Sequence, residues 1–137
     1  IKDINGAWTK EFIKIGETEV SLGAVENSLL RKMNEPRIHF AINCASISCP
    51  KLMNRAYTAE NMKELLEKAT MEFINSDKND ISKNSANLSS IFDWYKGDFT
   101  ENGQNLIDYV NQYSEVKIRP NANVSFKEYN WELNDQK

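Results

Sequence analysis

Residues 57–74, YTAENMKELLEKATMEFI, read as one regular element and no other. Met62, Leu65, Leu66, Ala69 and Phe73 recur at helical spacing, which lays them on one stripe of an α-helix while Lys and Glu take the opposite side. Thr58 is a good N-cap, and Glu60 stands where the helix dipole favours an anion, so the pattern predicts a helix over 59–75. A helix with one apolar stripe must bury it against another layer. The fold class therefore rests on what the remaining sequence supplies as that layer.

Upstream, EFIKIGETEV (11–20) predicts two short strands around the turn Gly16-Glu17. Ser21 then caps a helix over about 22–33, with Leu22, Val25, Leu29 and Leu30 on one face, ended by Asn34 and Pro36. In RIHFAINC (37–44), Ile38, Phe40, Ile42 and Cys44 alternate with Arg37, His39, Ala41 and Asn43. That period of two predicts a strand with His39 facing away from Phe40. The Ser- and Pro-rich run after it reads as a loop at the strand end, where sites are often built. NSDKNDISKNSAN is surface with room for a small hairpin. Ser90 precedes a short helix over 91–97 stopped near Gly97, and Thr100 opens another over 101–113 that buries Leu106, Ile107 and Val110. The closing NVSFKEYNWELN predicts a strand with a bulge, Val124 and Phe126 first, then Tyr129, Trp131 and Leu133. Strands and helices are intermixed without a βαβ rhythm. The expected class is α+β: a small antiparallel or mixed sheet packed against several helices, in one domain of 137 residues.

Charge narrows the partners. A net charge of -3, with no Lys/Arg run, argues against nucleic acid, which demands a concentrated positive patch. No apolar stretch approaches the roughly 20 residues of a spanning helix. The unusual feature is local: the one histidine and both cysteines of the chain fall within residues 39–49. Two cysteines with four residues between them admit a local disulfide, a pair of free thiols, or two ligands of a metal site.

The blocks EVSLGAVENSLLR, RIHFAINCASISCPKL, AYTAENM, SSIFDWYKGDF and YNWELN, in that order, resemble the signature blocks of the domain of unknown function 547 (DUF547) family, nearly end to end. The family is named for having no established activity. Members occur in bacteria, plants and some animals, and bacterial ones are often exported, so the resemblance implies a bacterial, periplasmic or extracellular setting. It also implies an upstream apolar helix, which IKDI (1–4) would follow. The residues it carries over are Glu26 and Arg31, Arg37 and His39, Cys44, Ser46, Cys49 and Pro50, then Tyr95, Asp98 and Phe99.

Three chemistries are open to these groups. In a cysteine-dependent hydrolase or acyltransferase, Cys49 is the nucleophile, His39 the base and Glu26 the orienting carboxylate, with backbone amides of ASISC as an oxyanion hole. Arg31, Arg37, Cys44, Ser46 and Ser48 then bind substrate. A zinc site would take His39, Cys44 and Cys49 with Glu26 or Asp98 as fourth ligand, but the four-residue cysteine spacing fits poorly, and neither metal nor cofactor is expected. In a non-catalytic binding or scaffold domain, the preferred reading, Glu26, Arg31 and Arg37 satisfy one another as ion pairs and a small-molecule, peptide or protein ligand is bound. The aromatics Phe92, Trp94, Tyr95 and Phe99 are expected in the core.

Overall fold

The computed structural model describes residues 5–101 and 103–135; the IKDI segment lies outside them. The chain divides into two compact units, one ending at Pro36 and the other beginning at Arg37.

In the first unit, β1 (Ile13–Ile15) and β2 (Thr18–Val20) form the expected antiparallel hairpin, Ile13 opposite Val20. Gly16 takes the turn with φ +62, a conformation that costs glycine nothing. Ser21 caps the helical segment as predicted, its Oγ accepting from the Ala24 amide at 3.1 Å. The segment is not uniform. It starts as α1 (Leu22–Ala24), widens into a π-helical turn over Val25–Leu30 and tightens to a 3-10 turn over Arg31–Met33. Asn34, left-handed at φ 54, ends it. Gly23 donates its amide to the Trp8 carbonyl at 3.0 Å, and a Cβ there would stand 2.9 Å from that oxygen, so this close approach requires glycine.

The strand expected over 37–44 does not form. Residues Pro36–Phe40 wind as a 3-10 helix, not a strand, and Ile38, His39 and Phe40 are all buried. Alternation alone could not anticipate this, because proline fixes its own φ in a helix-compatible region and a three-residue turn can sink three consecutive side chains into one core. After it, residues 41–50 run irregularly. Asn43 clips the segment into a closed loop: its Oδ1 accepts from the Ala45 amide at 2.9 Å and its Nδ2 donates to the Pro50 carbonyl at 2.7 Å.

The helix foreseen over 59–75 is α2 (Met62–Ile74), burying Leu65, Leu66, Ala69, Thr70, Phe73 and Ile74. It begins later than predicted because Asn61 gathers the entry, accepting from the Thr58 amide and donating to the Ala56 carbonyl. β3 (Asp80–Ile81) and β4 (Ser85–Leu88) form the small hairpin, and β5 (Asn123–Phe126) lies parallel to β4 with Leu88 opposite Phe126. The predicted helix 91–97 is broken at Tyr95 into α3 (Ile91–Trp94) and α4 (Lys96–Thr100). Thr100 starts no helix; α5 (Leu106–Tyr113) starts at Asn105, which with Asp108 forms a reciprocal capping box. The core between these elements is aromatic: Phe40 lies 5.1 Å from Phe73 and 5.5 Å from Phe92, and Phe92 lies 5.1 Å from Phe99. Each such side chain contributes about 1.5–3 kcal/mol by leaving water.

The bulged strand expected to reach Leu133 does not form. The sheet ends at Phe126, and residues 130–134 instead fasten the loop after Cys44, with Ile47 N to Glu132 O at 2.8 Å and Asn134 N to Ala45 O at 2.9 Å. A small mixed sheet and several helices make the protein α+β, and among the described residues no helix is long and apolar enough to cross a membrane.

Candidate functional site

The closed loop holds the two cysteines together as free thiols, their sulfurs 3.0 Å apart. Cys44 is partly exposed; Cys49 is buried. Around the Cys44 sulfur stand Ser46 Oγ at 3.2 Å and Tyr129 OH at 3.4 Å, and Ser46 Oγ donates to that same phenol at 3.1 Å. Burial pushes the Cys44 thiol up, but hydrogen bonds from Cys49, Ser46 and Tyr129 outweigh it and leave the thiol below its ordinary value. Cys49 moves the other way, to about 11, chiefly by burial and then by the neighbouring Cys44 sulfur, although the Cys44 amide donates to it at 2.7 Å. Ala45 sits between them at φ +60, a left-handed conformation that a non-glycine residue keeps only when its surroundings enforce it.

His39 belongs to a second cluster. Its Nε2 meets Asp98 Oδ2 of α4 at 2.8 Å, and its ring stacks on Tyr95 at 3.9 Å and meets Phe99 edge-on at 5.5 Å. The side chain of His39 is 1% exposed. Asp98 is a carboxylate partner of His39 that the sequence reading names only as a zinc ligand; Glu26, foreseen as the orienting carboxylate, lies on the π-helical turn.

Cys49 and His39 are not hydrogen-bonded: the sulfur's partners are Cys44 and, at 3.8 Å, the Ile42 carbonyl. The 3-10 turn carries the imidazole to α4, while the clip at Asn43 carries the sulfur to Cys44. Most amides of this loop donate within the protein. Those of Cys44, Ala45, Ile47, Ser48 and Cys49 donate to Cys49 Sγ, Asn43 Oδ1, Glu132 O, Asn130 O and Ser46 O. Among the described residues no three His, Cys, Asp or Glu side chains gather to hold a metal ion.

Each residue foreseen as a substrate contact has partners within the protein. Cys44 and Ser46 join the thiol cluster. Ser48 Oγ accepts from the Asn130 amide at 2.9 Å, Arg37 donates to Glu67 of α2 at 3.0 Å, and Arg31 donates to Asn27 at 3.1 Å. Sequence reasoning missed Tyr129 as a partner of Cys44, 85 residues away. Its membership of the YNWELN block was the available signal. Of the four aromatics expected in the core, Phe92 and Phe99 are there, whereas Trp94 is 48% exposed and packs on Tyr129 and Trp131.

Beside the loop opens a cleft of about 550 Å³. Phe40, Ile47, Leu52, Met53 and Phe73 give it apolar walls, Cys49 reaches it, and Lys51, Glu72, Asp77 and Lys78 add charges of both signs. Such a volume suits a small organic molecule.

Fold and site together define an α+β protein with a paired-thiol loop next to a mixed-polarity cleft. The chain belongs to the DUF547 family: the family model described as "Protein of unknown function, DUF547" matches residues 2–74, a little over half of the 137. The later blocks, SSIFDWYKGDF and YNWELN, fall beyond that match. No curated protein and no solved structure matches the chain.

Proposed function

We propose that this protein is a binding domain that performs no acyl transfer, and that its ligand is a small amphiphilic molecule seated in the cleft between α2 and the thiol loop. The observation that carries this reading is that five of the six amides from Cys44 to Cys49 donate within the protein. Stabilising an acyl-transfer oxyanion needs amides aimed at open space. Two further facts support it. The imidazole is buried against Asp98 and Tyr95, and the Cys49 thiol, at about 11, yields little thiolate near neutrality. The cleft offers what a ligand with an apolar body and a charged head would use: Leu52, Met53 and Phe73 for the body and Lys51 for an anionic head, with Lys78 paired to Asp77 at 3.1 Å beside it.

The test uses 8-anilinonaphthalene-1-sulfonate, an aromatic anion whose fluorescence rises in apolar surroundings. It is expected to bind the native protein saturably, and to bind Leu52→Asp at least about tenfold more weakly, because a carboxylate would be buried unpaired against the ligand. Leu52 is 70% exposed, so the substitution spares the core. Absence of saturable binding, or equal binding to Leu52→Asp, overturns the proposal. Hydrolysis of p-nitrophenyl acetate above the blank, abolished in Cys49→Ser, would establish instead the hydrolase reading with Cys49, His39 and Glu26.

A further inference from the structure

We propose that Cys44 and Cys49 form a thiol–disulfide exchange site, in which the partly exposed Cys44 attacks an incoming disulfide and the buried Cys49 resolves the product into an internal Cys44–Cys49 bridge. The step is independent of any ligand in the cleft.

Proximity is the first argument. The sulfurs are 3.0 Å apart, so a bridge of about 2.05 Å requires a movement of roughly 1 Å. The backbone already holds the bridged path, since the Asn43 clip and the 130–134 segment close the loop without any covalent link. A permanent disulfide would therefore have little left to restrain. That favours a bond that opens and closes.

Asymmetry is the second argument. Exchange needs one thiol that is reachable and stabilised as thiolate, and a second that waits. Cys44 is the reachable one, with Ser46 Oγ and the Tyr129 phenol around its sulfur. Ser46 donates to the phenol oxygen, which frees the phenol proton for the sulfur. Cys49 is buried, and the Cys44 amide points at its sulfur from 2.7 Å, ready to support charge there when it attacks. The chain holds only these two cysteines, so no other internal pairing competes.

The electrons balance with a low-molecular-weight disulfide, R–S–S–R, as oxidant. The Cys44 thiolate attacks one sulfur, a Cys44–S–R bond forms, and R–S⁻ departs and takes a proton from water. Cys49 then loses its proton to solvent and attacks the Cys44 sulfur. The Sγ–Sγ bond forms, the Cys44–S–R bond breaks and a second R–S⁻ leaves. The protein dithiol is oxidised by two electrons and the disulfide is reduced to two thiols.

The experiment treats the reduced protein with glutathione disulfide, quenches with acid and maps adducts by mass spectrometry. Native protein should end with an internal bridge and no retained glutathione, and excess reduced glutathione should reopen it. Cys49→Ser should accumulate glutathione on Cys44, and Cys44→Ser should gain none on Cys49 over the same interval. On native protein, which depends on no variant, iodoacetamide should label Cys44 roughly tenfold faster than Cys49. Equal labelling, equal adducts in the two variants, a bridge that survives excess reduced glutathione, or glutathione retained on native protein would each overturn the exchange proposal. None of these results bears on dye binding in the cleft, so the two proposals can fail separately.

Discussion

Tyr129→Phe isolates one atom. The phenol oxygen lies 3.4 Å from Cys44 Sγ and 3.1 Å from Ser46 Oγ. The ring rests on Trp94 at 4.9 Å and Trp131 at 4.5 Å, contacts that phenylalanine keeps. Burial and the Cys44 sulfur hold the phenol above its ordinary pKa, so it stays protonated and can donate to the Cys44 thiolate wherever that thiolate forms. A hydrogen bond to an ionised acceptor is worth about 1.5–3 kcal/mol, and the long distance here puts it at the low end. About 1.4 kcal/mol is a tenfold loss of thiolate at any pH below half-ionisation. Each remaining thiolate becomes more nucleophilic as basicity rises, with a Brønsted exponent of about 0.5 that returns roughly threefold. The net expectation is iodoacetamide labelling of Cys44 about threefold slower, with the midpoint of its rate–pH curve moved upward. The assay is peptide-resolved labelling across a pH series on native protein and Tyr129→Phe. An unmoved midpoint, or faster labelling, would refute the claim that the phenol supports the thiolate.

Other perturbations test the surrounding frame. Phe92→Ala empties a site that is 0% exposed between Phe40 and Phe99 and should cost about 3–5 kcal/mol in urea unfolding; a loss below about 1 kcal/mol would contradict the aromatic core. Asp98→Ala takes the carboxylate from a histidine whose side chain is 1% exposed and should cost about 1–3 kcal/mol, read the same way. Asn105→Ala removes one half of the α5 capping box and should cost about 1 kcal/mol, with unchanged stability counting against it. Cys49 has an ordinary pKa of 9.0, raised to about 11 by the fold, so the unfolded chain releases this proton first. Its contribution to stability is then full below pH 9.0 and disappears as pH climbs through about 11. Native protein should lose more urea resistance over that window than Cys49→Ser, and parallel losses would refute the shift.

How far the site could be read in advance differs from one element to the next. The run holding His39, Cys44 and Cys49 in eleven residues contains the paired thiols, and Ser46, which stands beside Cys44, was named with them. What differs is the local backbone. A strand over 37–44 and a bend after Asn43 would have let imidazole and Cys49 meet; the 3-10 turn and the Asn43 clip send them to different neighbours, Asp98 and Cys44. Asp98 and Tyr129 stand 59 and 85 residues from their partners. Periodicity within a window carries no information about such pairs.

Local signals were sufficient wherever an element is governed by its own residues. The glycine turn of the hairpin, the Ser21 cap, the apolar stripe of α2 and the intermixing that makes the class α+β all follow from propensity and spacing. Long-range contacts decided the rest. The alternating apolar pattern of 37–44 yielded to a core that could bury three neighbouring side chains at once, and the closing segment left the sheet because the thiol loop's backbone groups offered it partners. Burial and hydrogen bonding between distant segments outweigh a preference worth less than about 1 kcal/mol per residue, and here that balance set where each thiol and the imidazole came to rest.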